Sequence, residues 1–316
     1  MRVAAATLAE PLLLDDIAAA AWLPVRLPRG HKRSNGWLVC VAGSLDYAGA
    51  ALLCAMAAAR AGAGLVVLAV PASLQALFAG RVAEAVTLGL PETDGEVDVE
   101  AALAAISGRE PTALLVGPGL RASAANDRLV RRLLAGDGAP EDVPMVVDAG
   151  ALNMLAAGAD WWPRAARRLV LTPHPGEFAR LTGSPLSDDD DERAERAQGA
   201  AGRFGQVVVL KGANTVIADA DGRVARAPFV NAALSTAGTG DVLAGTIGAL
   251  LAQGVAPFEA ACAGVYLHGT AAARVSERLG DSGLIASDLP LEVAHVRHRL
   301  ARLRERPAGK VGFTRR

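Results

Sequence analysis

A glycine- and threonine-rich segment, Gly238-Thr-Gly-Asp241, runs directly into a long apolar segment over residues 242–252. The first residues are poor helix formers and the apolar segment favours a helix, so we predict that a helix begins at this junction. The first N–H groups of that helix have no partner within it, and Gly238 and Gly240 have no side chains to shield them from an anion. Asp241 would place a carboxylate beside that anion, where it can accept a proton from a substrate hydroxyl. An anion hole with a base beside it suits phosphoryl transfer.

A simple turn with an acidic N-cap is the alternative interpretation of these four residues. The sequence that follows favours a ligand site. After Asp241 the helix is nearly all apolar, and Gly245 and Gly248 allow another part of the chain to approach it closely. A buried helix that opens with glycine and threonine is more typical of a ligand site than of a surface turn.

Other candidate residues follow short apolar runs that predict strands. Lys211-Gly-Ala-Asn-Thr215 could hold nucleotide phosphates through its lysine and loop amides, or Lys211 could be an ordinary edge residue. His174 lies between two prolines, in a loop that we do not expect to be helical; a binding role and a structural role both stay open, and zinc is disfavoured. Gly117-Pro-Gly119 permits close approach of a ligand or forms a turn. Asp148 could contact a ribose or a metal-bound water, but capping of the following helix is favoured.

These candidates are positioned by an alternation of apolar runs and helical segments. Strands are predicted at residues 37–42, 65–70, 82–88, 113–116, 144–147, 169–171 and 207–210, and helices at 50–61, 72–78, 99–106, 123–134 and 151–156. Strand, crossover helix and strand form the βαβ unit of a parallel sheet, and continuous apolar strands indicate a sheet covered on both faces. In open α/β sheets the ligand sites lie past the carboxyl ends of the strands, where the candidates fall.

Composition supports one α/β domain. The 316 residues are 52% hydrophobic, 21% charged and only 4% aromatic, which suits closely packed helices on a sheet. The net charge of -1 gives no electrostatic reason to expect nucleic acid or membrane as a partner. The cysteines Cys40, Cys54 and Cys262 are predicted to be core residues in a reducing compartment, and we expect the protein to be cytoplasmic.

We divide the chain into an N-terminal extension over residues 1–30, one domain over 31–300 and a basic tail over 301–316. The extension carries a helical pattern over residues 12–22. The acidic run at 188–192 is interpreted as a solvated helix start that Ser187 caps, not as a metal site. For the histidines outside the loops, core or surface roles are favoured over site roles; these are His268, His295 and His298.

The assembled motifs resemble one family, the ADP- or ATP-dependent NAD(P)H-hydrate dehydratases of the ribokinase-like superfamily. The matching segments are His31-Lys32, Ala42-Gly-Ser44 with Gly49-Ala50, Gly117-Pro-Gly-Leu120, Asp148-Ala-Gly-Ala-Leu-Asn153, Leu171-Thr-Pro-His-Pro-Gly-Glu177, Leu210-Lys-Gly-Ala-Asn-Thr215 and Ser235-Thr-Ala-Gly-Thr-Gly-Asp-Val-Leu-Ala-Gly245. The Thr-Pro-His-Pro-Gly-Glu segment is the most distinctive, because ribokinase-like sugar kinases lack it. The resemblance implies a three-layer sandwich with a mostly parallel central sheet flanked by helices.

The resemblance also implies a reaction. The S epimer of NADH or NADPH hydrated at C6 of the nicotinamide ring receives the terminal phosphoryl group of ADP or ATP on its hydroxyl. Loss of phosphate then restores the ring double bond, because phosphate is a far better leaving group than hydroxide. Mg²⁺ would bridge the nucleotide phosphates, with no direct protein ligand predicted. We expect a homo-oligomer, with a tetramer favoured, and a separate epimerase that acts on the same hydrate.

Site roles implied by the resemblance fall on three sets of residues. Catalysis is assigned to Asp241 as the base, with Gly238 and Gly240 forming the anion hole. The hydrate site would contain Ala50, Gly119, His174 and Asp241. The adenine nucleotide would be held by Lys211, Gly212, Ala213, Asn214, Thr215 and Gly240.

Three positions depart from the family pattern. The segment Arg33-Ser-Asn-Gly36 stands where the family usually has a glycine and then an acidic residue; Arg121 stands where glycine is common; and Gly150 stands in place of a second aspartate. Two rival functions are considered: a ribokinase-like kinase of a vitamin-precursor alcohol, such as a thiazole or pyridoxal-type alcohol, and a catalytically inactive nucleotide sensor, against which the intact Asp241 argues.

Overall fold

The central feature of the computed structural model, which describes residues 11–158 and 160–304, is a ten-stranded sheet. The twelve strands of the described chain are β1 (Leu12–Leu13), β2 (Trp37–Val41), β3 (Leu65–Pro71), β4 (Val86–Leu90), β5 (Glu92–Thr93), β6 (Glu96–Val97), β7 (Ala113–Val116), β8 (Met145–Val147), β9 (Leu169–Leu171), β10 (Val207–Leu210), β11 (Val216–Ala218) and β12 (Val224–Arg226). The sheet order is β1-β12-β11-β10-β9-β8-β7-β2-β3-β4, and β5 and β6 form a separate hairpin. Only the pairings of β11 with β10 and β12 are antiparallel within this sheet.

Helices cover both faces of the sheet. The α-helices of the described residues are α1 (Asp16–Trp22), α2 (Ala48–Arg60), α3 (Gln75–Ala79), α4 (Val99–Ser107), α5 (Ala124–Leu134), α6 (Ala149–Ala157), α7 (Pro175–Thr182), α8 (Asp190–Phe204), α9 (Thr239–Ala252), α10 (Pro257–Leu279) and α11 (Leu289–Arg304). One core contains residues of α1, α2, α9, α10 and α11, and the other contains residues of α4 to α8. In β2, Leu38 and Cys40 belong to the first core, whereas Val39 and Val41 belong to the second. The predicted three-layer sandwich is therefore confirmed.

Most predicted elements match the structure. The strands predicted at 113–116, 169–171 and 207–210 have the observed boundaries. The extended segment predicted at 82–88 begins later, at Val86, and the sequence reasoning missed the short antiparallel strands β11 and β12. Helix α8 begins as expected at the acidic run, but Asp189 is its N-cap and accepts hydrogen bonds from the N–H groups of Asp191 and Glu192.

The N-terminal segment that the structure describes contributes to the sheet. The helical pattern predicted over residues 12–22 holds only from Asp16, because Leu12–Leu13 form β1, which pairs in parallel with β12. Asp16 accepts hydrogen bonds from Tyr266 and Arg299, each at 2.8 Å, which attach α1 to α10 and α11. The division of the chain at residues 30 and 300 stays a prediction, and residues 305–316 of the predicted tail lie outside the described residues. Each described helix is too short or too polar to cross a lipid bilayer.

Helix α9 is the element that positions the site. It is buried along nearly its whole length between the sheet and α2. The predicted close approach at its glycines is confirmed, since a Cβ at Gly245 would collide with the Cys54 backbone and one at Gly248 would lie 3.1 Å from the Leu38 side chain. Because packing fixes α9 so firmly, its N-terminus is held at a defined place over the carboxyl ends of the strands.

Candidate active site at the start of helix α9

The start of α9 has the predicted form. Gly238 is the N-cap residue, with a left-handed φ of 89°, and a Cβ there would lie 2.7 Å from Leu53 and 3.0 Å from Ala286. Thr239 begins the helix, and its hydroxyl donates to the Leu234 and Thr236 carbonyl oxygens at 2.8 and 2.9 Å. These bonds hold the preceding loop against the first turn. Glycine at 238 is thus required both by backbone conformation and by space.

A cavity of about 630 Å³ lies beside this helix start. Its lining includes four residues of the predicted nucleotide loop, namely Lys211, Gly212, Ala213 and Thr215, together with Gly240 and His174. The volume falls within the usual range of small-molecule sites. Asn214, the remaining residue of the loop, does not line the cavity; its side-chain amide donates to Asp190 at 2.8 Å. The structure therefore gathers five of the six predicted nucleotide residues and uses Asn214 to fix the loop.

The Lys211 ammonium is paired with Asp148. Its Nζ lies 2.9 Å from Asp148 Oδ1, and a Cβ at Gly240 would lie only 3.3 Å from that Nζ. Burial alone would lower the pKa of Lys211, but the negative charges of Asp148 and Glu177 and the hydrogen bond to Asp148 raise it above its usual value. The side chain therefore carries its positive charge at neutral pH, directly beside the first turn of α9.

Asp148 does not cap its helix, so the favoured sequence interpretation is wrong. It occupies the N-cap position of α6, but its side chain makes no capping hydrogen bond. Its Oδ1 instead accepts from the Thr172 hydroxyl at 2.8 Å and from Lys211 at 2.9 Å. The carboxylate spans from the end of β8 across β9 to the end of β10, and thereby joins three strand ends at one point.

Asp241 stands in the first turn of α9 and has an unusual proton affinity. Burial, together with the negative charges of Asp148 and Glu177 and against the positive charge of Lys211, raises its pKa to about 7. Because these charges act on Asp241, its carboxylate lies within electrostatic range of the charged groups that follow β8, β9 and β10. A carboxylate with a pKa near neutrality is suited to accept a proton at physiological pH.

His174 has a structural bond and also faces the cavity. It is the N-cap of α7: its Nδ1 accepts from the Gly176 N–H at 3.1 Å, and the Glu177 carboxylate accepts from the His174 N–H at 2.9 Å. The expectation of a non-helical loop is wrong beyond His174, since α7 begins at Pro175, where the missing N–H of proline costs nothing. Its side chain is 51% exposed, so the ring remains accessible to a ligand.

Ala50 and Gly119, two of the predicted hydrate-site residues, touch each other outside the cavity lining. A Cβ at Gly119 would lie 3.1 Å from the Ala50 Cβ and 2.5 Å from the Tyr47 carbonyl oxygen, and Gly119 has a left-handed φ of 67°. Ala50 lies on α2, one turn before Leu53, whose side chain approaches Gly238. The pair therefore lies on the side of the α9 start that faces α2, and neither residue belongs to the cavity lining that contains the 211–215 loop.

Two of the three departures from the family pattern have a structural explanation. Arg33 stacks over Trp37, 4.3 Å from its ring centre, and pairs with Glu110 at 2.8 Å, which places it at the amino end of β2, opposite the site. A Cβ at Gly150 would collide with the Leu120 carbonyl oxygen, so this backbone has no room for an aspartate there. The remaining departure, Arg121, presents its carbonyl oxygen to Asn126.

Several residues of the cavity were missed from the sequence. His268 was predicted to have a core or surface role; it is buried, yet it lines the cavity, and burial lowers its pKa to about 4. The segment after β12 supplies further walls, including Phe229, Val230 and Asn231. No local pattern marked these residues, because they reach the cavity only through the packing of α10 and of the loop before α9.

Comparison with known proteins places this site in a family. A model of the NAD(P)H-hydrate dehydratase family matches residues 38–292. The chain is 42% identical to the bifunctional NAD(P)H-hydrate repair enzyme of Moorella thermoacetica over 279 residues, which cover 86% of this chain and 52% of that protein. It is 36% identical to the ADP-dependent (S)-NAD(P)H-hydrate dehydratase of Neisseria meningitidis over 284 residues, or 88% of this chain and 90% of that protein. The chain thus spans about half the length of the bifunctional relative.

A solved structure agrees with both the fold and the sequence matches. The ADP/ATP-dependent NAD(P)H-hydrate dehydratase of Bacillus subtilis, co-crystallised with ATP and Mg²⁺, superposes with a TM-score of 0.79 at 32% identity, over 94% of this chain and 100% of that one. The ribokinase-like fold expected from the motifs is therefore confirmed. On the evidence of the family match, the full-length relative and the shared fold, the chain belongs to the NAD(P)H-hydrate dehydratase family.

Proposed function

We propose that this chain dehydrates the S epimer of C6-hydrated NADH or NADPH, with ADP or ATP as the phosphoryl donor. The single observation that carries the proposal is the meeting of Asp241, Lys211 and the bare Gly240 at the start of α9, beside a cavity of nucleotide size. This arrangement combines a base, a cation and a helix N-terminus, the components that phosphoryl transfer to a hydroxyl needs.

Each part of the cluster has a chemical role in this proposal. Asp241 removes the proton of the C6 hydroxyl as that oxygen attacks the terminal phosphorus of the nucleotide. The first N–H groups of α9, exposed by Gly238 and Gly240, bind the transferring phosphoryl group, and Lys211 neutralises part of its charge. After transfer, the C6–O bond breaks, phosphate leaves with the bonding electrons, and loss of the C5 proton forms the ring double bond.

The two substrates would occupy opposite sides of the α9 start. The nucleotide fits the cavity between the 211–215 loop and α10, whose lining is partly apolar through Phe229, Leu243 and Val265. The hydrate fits the side that holds Ala50 and Gly119, where the glycine leaves backbone close to the ligand. His174, which lines the nucleotide cavity, would contact the hydrate where the two substrates meet. Asp241 then lies between the donor and the acceptor.

The charges at the start of α9 suit a divalent cation that is bound to the phosphates of the nucleotide. Three carboxylates, Asp148, Glu177 and Asp241, and one ammonium, Lys211, influence one another there, which leaves an excess of negative charge. Mg²⁺ typically keeps several waters and binds through substrate phosphates, where it neutralises charge in the transition state. Among the described residues no group of three or more potential metal ligands is found, and the absence of a direct protein ligand to the ion stays a prediction.

The test is to incubate the protein with S-hydrated NADH, Mg²⁺ and ADP, and to follow the absorbance of reduced nicotinamide. Recovery of absorbance together with formation of AMP and phosphate is expected; recovery only with ATP would select the other donor. Absence of recovery, combined with phosphorylation of a thiazole or pyridoxal-type alcohol, would contradict the proposal and support the rival kinase. The tetramer and the separate epimerase stay predictions, which sedimentation and an assay on the R epimer can test.

A further inference from the structure

The local structure around Asp148 is built in an unusual way. Ala149, the first residue of α6, has a left-handed φ of 48°, a conformation that is unfavourable for a residue with a side chain. Gly117 lies so close that a Cβ would collide with the Asp148 carbonyl oxygen. Strain of this kind persists where the surrounding structure imposes it, and it concentrates at functional sites.

The result of this geometry is a buried carboxylate that serves a distant side chain rather than its own helix. Asp148 is 1% exposed and its side chain does not cap α6. The hydroxyl of Thr172, also 1% exposed, donates to Oδ1 at 2.8 Å and fixes the carboxylate in place. Lys211, 63 positions along the chain from Asp148, provides the second bond at 2.9 Å.

The Lys211 ammonium is left with unused donors at the mouth of α9. An ammonium carries three N–H groups, and in the described part of the chain its one hydrogen-bond partner is Asp148. Its Nζ lies beside Gly240, at the start of the helix and on the cavity wall. The ammonium is thus held by one side and open on the other, towards the place where the nucleotide phosphates would bind.

We propose that Asp148 is a positioning residue, whose carboxylate holds the Lys211 ammonium against Gly240 so that its free N–H groups meet the phosphates of the adenine nucleotide. This inference rests on the proposed function. A lysine without this anchor would sample many rotamers, and ordering it would reduce the affinity for the nucleotide.

Asp148 has a second effect that a purely structural residue would lack. Its negative charge is among the causes that raise the pKa of Asp241, after burial and before Glu177, whereas Lys211 lowers it. The charged and titratable groups around Asp241 are therefore Asp148 after β8, Glu177 on α7, Lys211 after β10 and the Cys54 thiol on α2. Removing the charge of Asp148 should lower the pKa of Asp241 while leaving the identity of the base unchanged.

The experiment is a double-mutant cycle with Asp148→Asn, Lys211→Gln and the double variant, read by calorimetric binding of ADP in the absence of hydrate. Lys211→Gln should weaken ADP binding about 10–100-fold and Asp148→Asn about tenfold, in the range for charge-assisted hydrogen bonds. Because Asp148 acts through Lys211, the double variant should bind ADP within about twofold of Lys211→Gln. Losses that multiply, or an Asp148→Asn protein with unchanged affinity, would overturn the inference.

The comparison of Lys211→Gln with the double variant does not depend on Asp148→Asn alone, the variant that leaves the Lys211 ammonium unpaired. In Lys211→Gln the Asp148 carboxylate still accepts from the Thr172 hydroxyl. The matched control is Asp219→Asn, which removes another buried carboxylate, paired with Arg223 at 2.6 Å in the β11–β12 hairpin. This control should lose stability without loss of ADP affinity. A comparable loss of affinity in the control would show that the effect of Asp148 is general destabilisation.

A pH profile provides the second readout. The acidic limb of kcat/KM, set near pH 7 by Asp241, should move to lower pH by roughly one unit in Asp148→Asn, because a negative neighbour is removed. An unmoved limb would limit Asp148 to a structural role. The two proposals can fail separately. If the binding losses of the variants are non-additive but the wild-type protein does not dehydrate the hydrate, the proposed function is refuted and the positioning role remains supported.

Discussion

Two cationic side chains lie at opposite edges of the central sheet, Arg167 buried and Lys211 partly buried, and their hydrogen-bond donors are satisfied in different ways. Arg167 lies just before β9, at the amino end of the strand, and its guanidinium donates to six backbone carbonyl oxygens, those of Leu133, Gly136, Asp137, Ala139, Pro140 and Val143. Lys211 lies just after β10, at the carboxyl end, and bonds only to the Asp148 carboxylate among the described residues.

This difference separates a structural cation from one available to a ligand. A guanidinium with its donors on the backbone stabilises the loop that follows α5, and nothing remains for a ligand to bind. An ammonium with free N–H groups beside a cavity and a helix N-terminus lacks hydrogen-bond partners within the protein, and a phosphate would provide them. The two edges of the sheet thus differ in whether the donors of the cation are used by the protein: those of Arg167 are, and two of the three on Lys211 are not, among the described residues.

The largest expected effect concerns the base at the ligand end. Asp241→Asn keeps the shape of the side chain but cannot accept the proton, so turnover should fall about 10²–10⁴-fold. ADP binding should change little, because Asp241 is not part of the cavity lining. Steady-state kinetics and calorimetry measure the two quantities. Survival of turnover in this variant would show that another group is the base.

Arg167→Met tests the structural end. The six carbonyl oxygens, two at buried and four at partly buried contacts, would lose their donor, so we expect a loss of about 3–5 kcal/mol in the free energy of unfolding. Urea denaturation measures this loss. Nucleotide affinity, determined well below the unfolding transition, should stay unchanged. A drop in ADP affinity of the folded variant would contradict the separation of the two ends.

The pH dependence of stability sharpens the comparison further. The folded pKa of Asp241, about 7, lies above its ordinary value of 3.8. The folded state therefore binds the extra proton, and this contribution to stability is complete below pH 3.8 and is lost as the pH rises through about 7. As the pH rises from 5 to 8, the free energy of unfolding of Asp241→Asn should increase by about 1–3 kcal/mol relative to that of the wild type, because the variant avoids a buried charge. Equal differences in unfolding free energy at both pH values would refute the raised pKa.

The smallest effect is expected for Gly240→Ala. The added Cβ would lie 3.3 Å from Lys211 Nζ, the flexible end of a side chain, so the fold should change by less than about 1 kcal/mol. ADP affinity should fall about three- to tenfold, because the Lys211 ammonium must shift and charge-assisted hydrogen bonds are sensitive to geometry. Gly245→Ala is the control, since its Cβ would meet the Cys54 backbone and should reduce stability instead of affinity. Unaltered ADP affinity in Gly240→Ala would show that Lys211 does not contact the nucleotide phosphates.

Much of the fold follows from patterns that are local in the sequence. Runs such as Ala113–Val116 and Val207–Leu210 are wholly apolar, which is typical of a strand covered on both faces, and they were located at their true boundaries. The start of α9 was located because glycine and threonine give way abruptly to apolar residues. The strands β11 and β12 escaped prediction because they follow β10 with no helix between them, outside the alternation of strands and helices that located the other strands.

By itself, the sequence determined the parallel sheet, the place where α9 begins and the set of polar residues that end at one edge of the sheet. Only the tertiary structure decided which of them touch: it paired Lys211 with Asp148, turned Asn214 towards Asp190, and joined Ala50 to Gly119 on the side facing α2. The physical reason is that hydrophobic periodicity acts over a few residues, whereas a buried ion pair between residues 63 positions apart depends on strand order and helix packing.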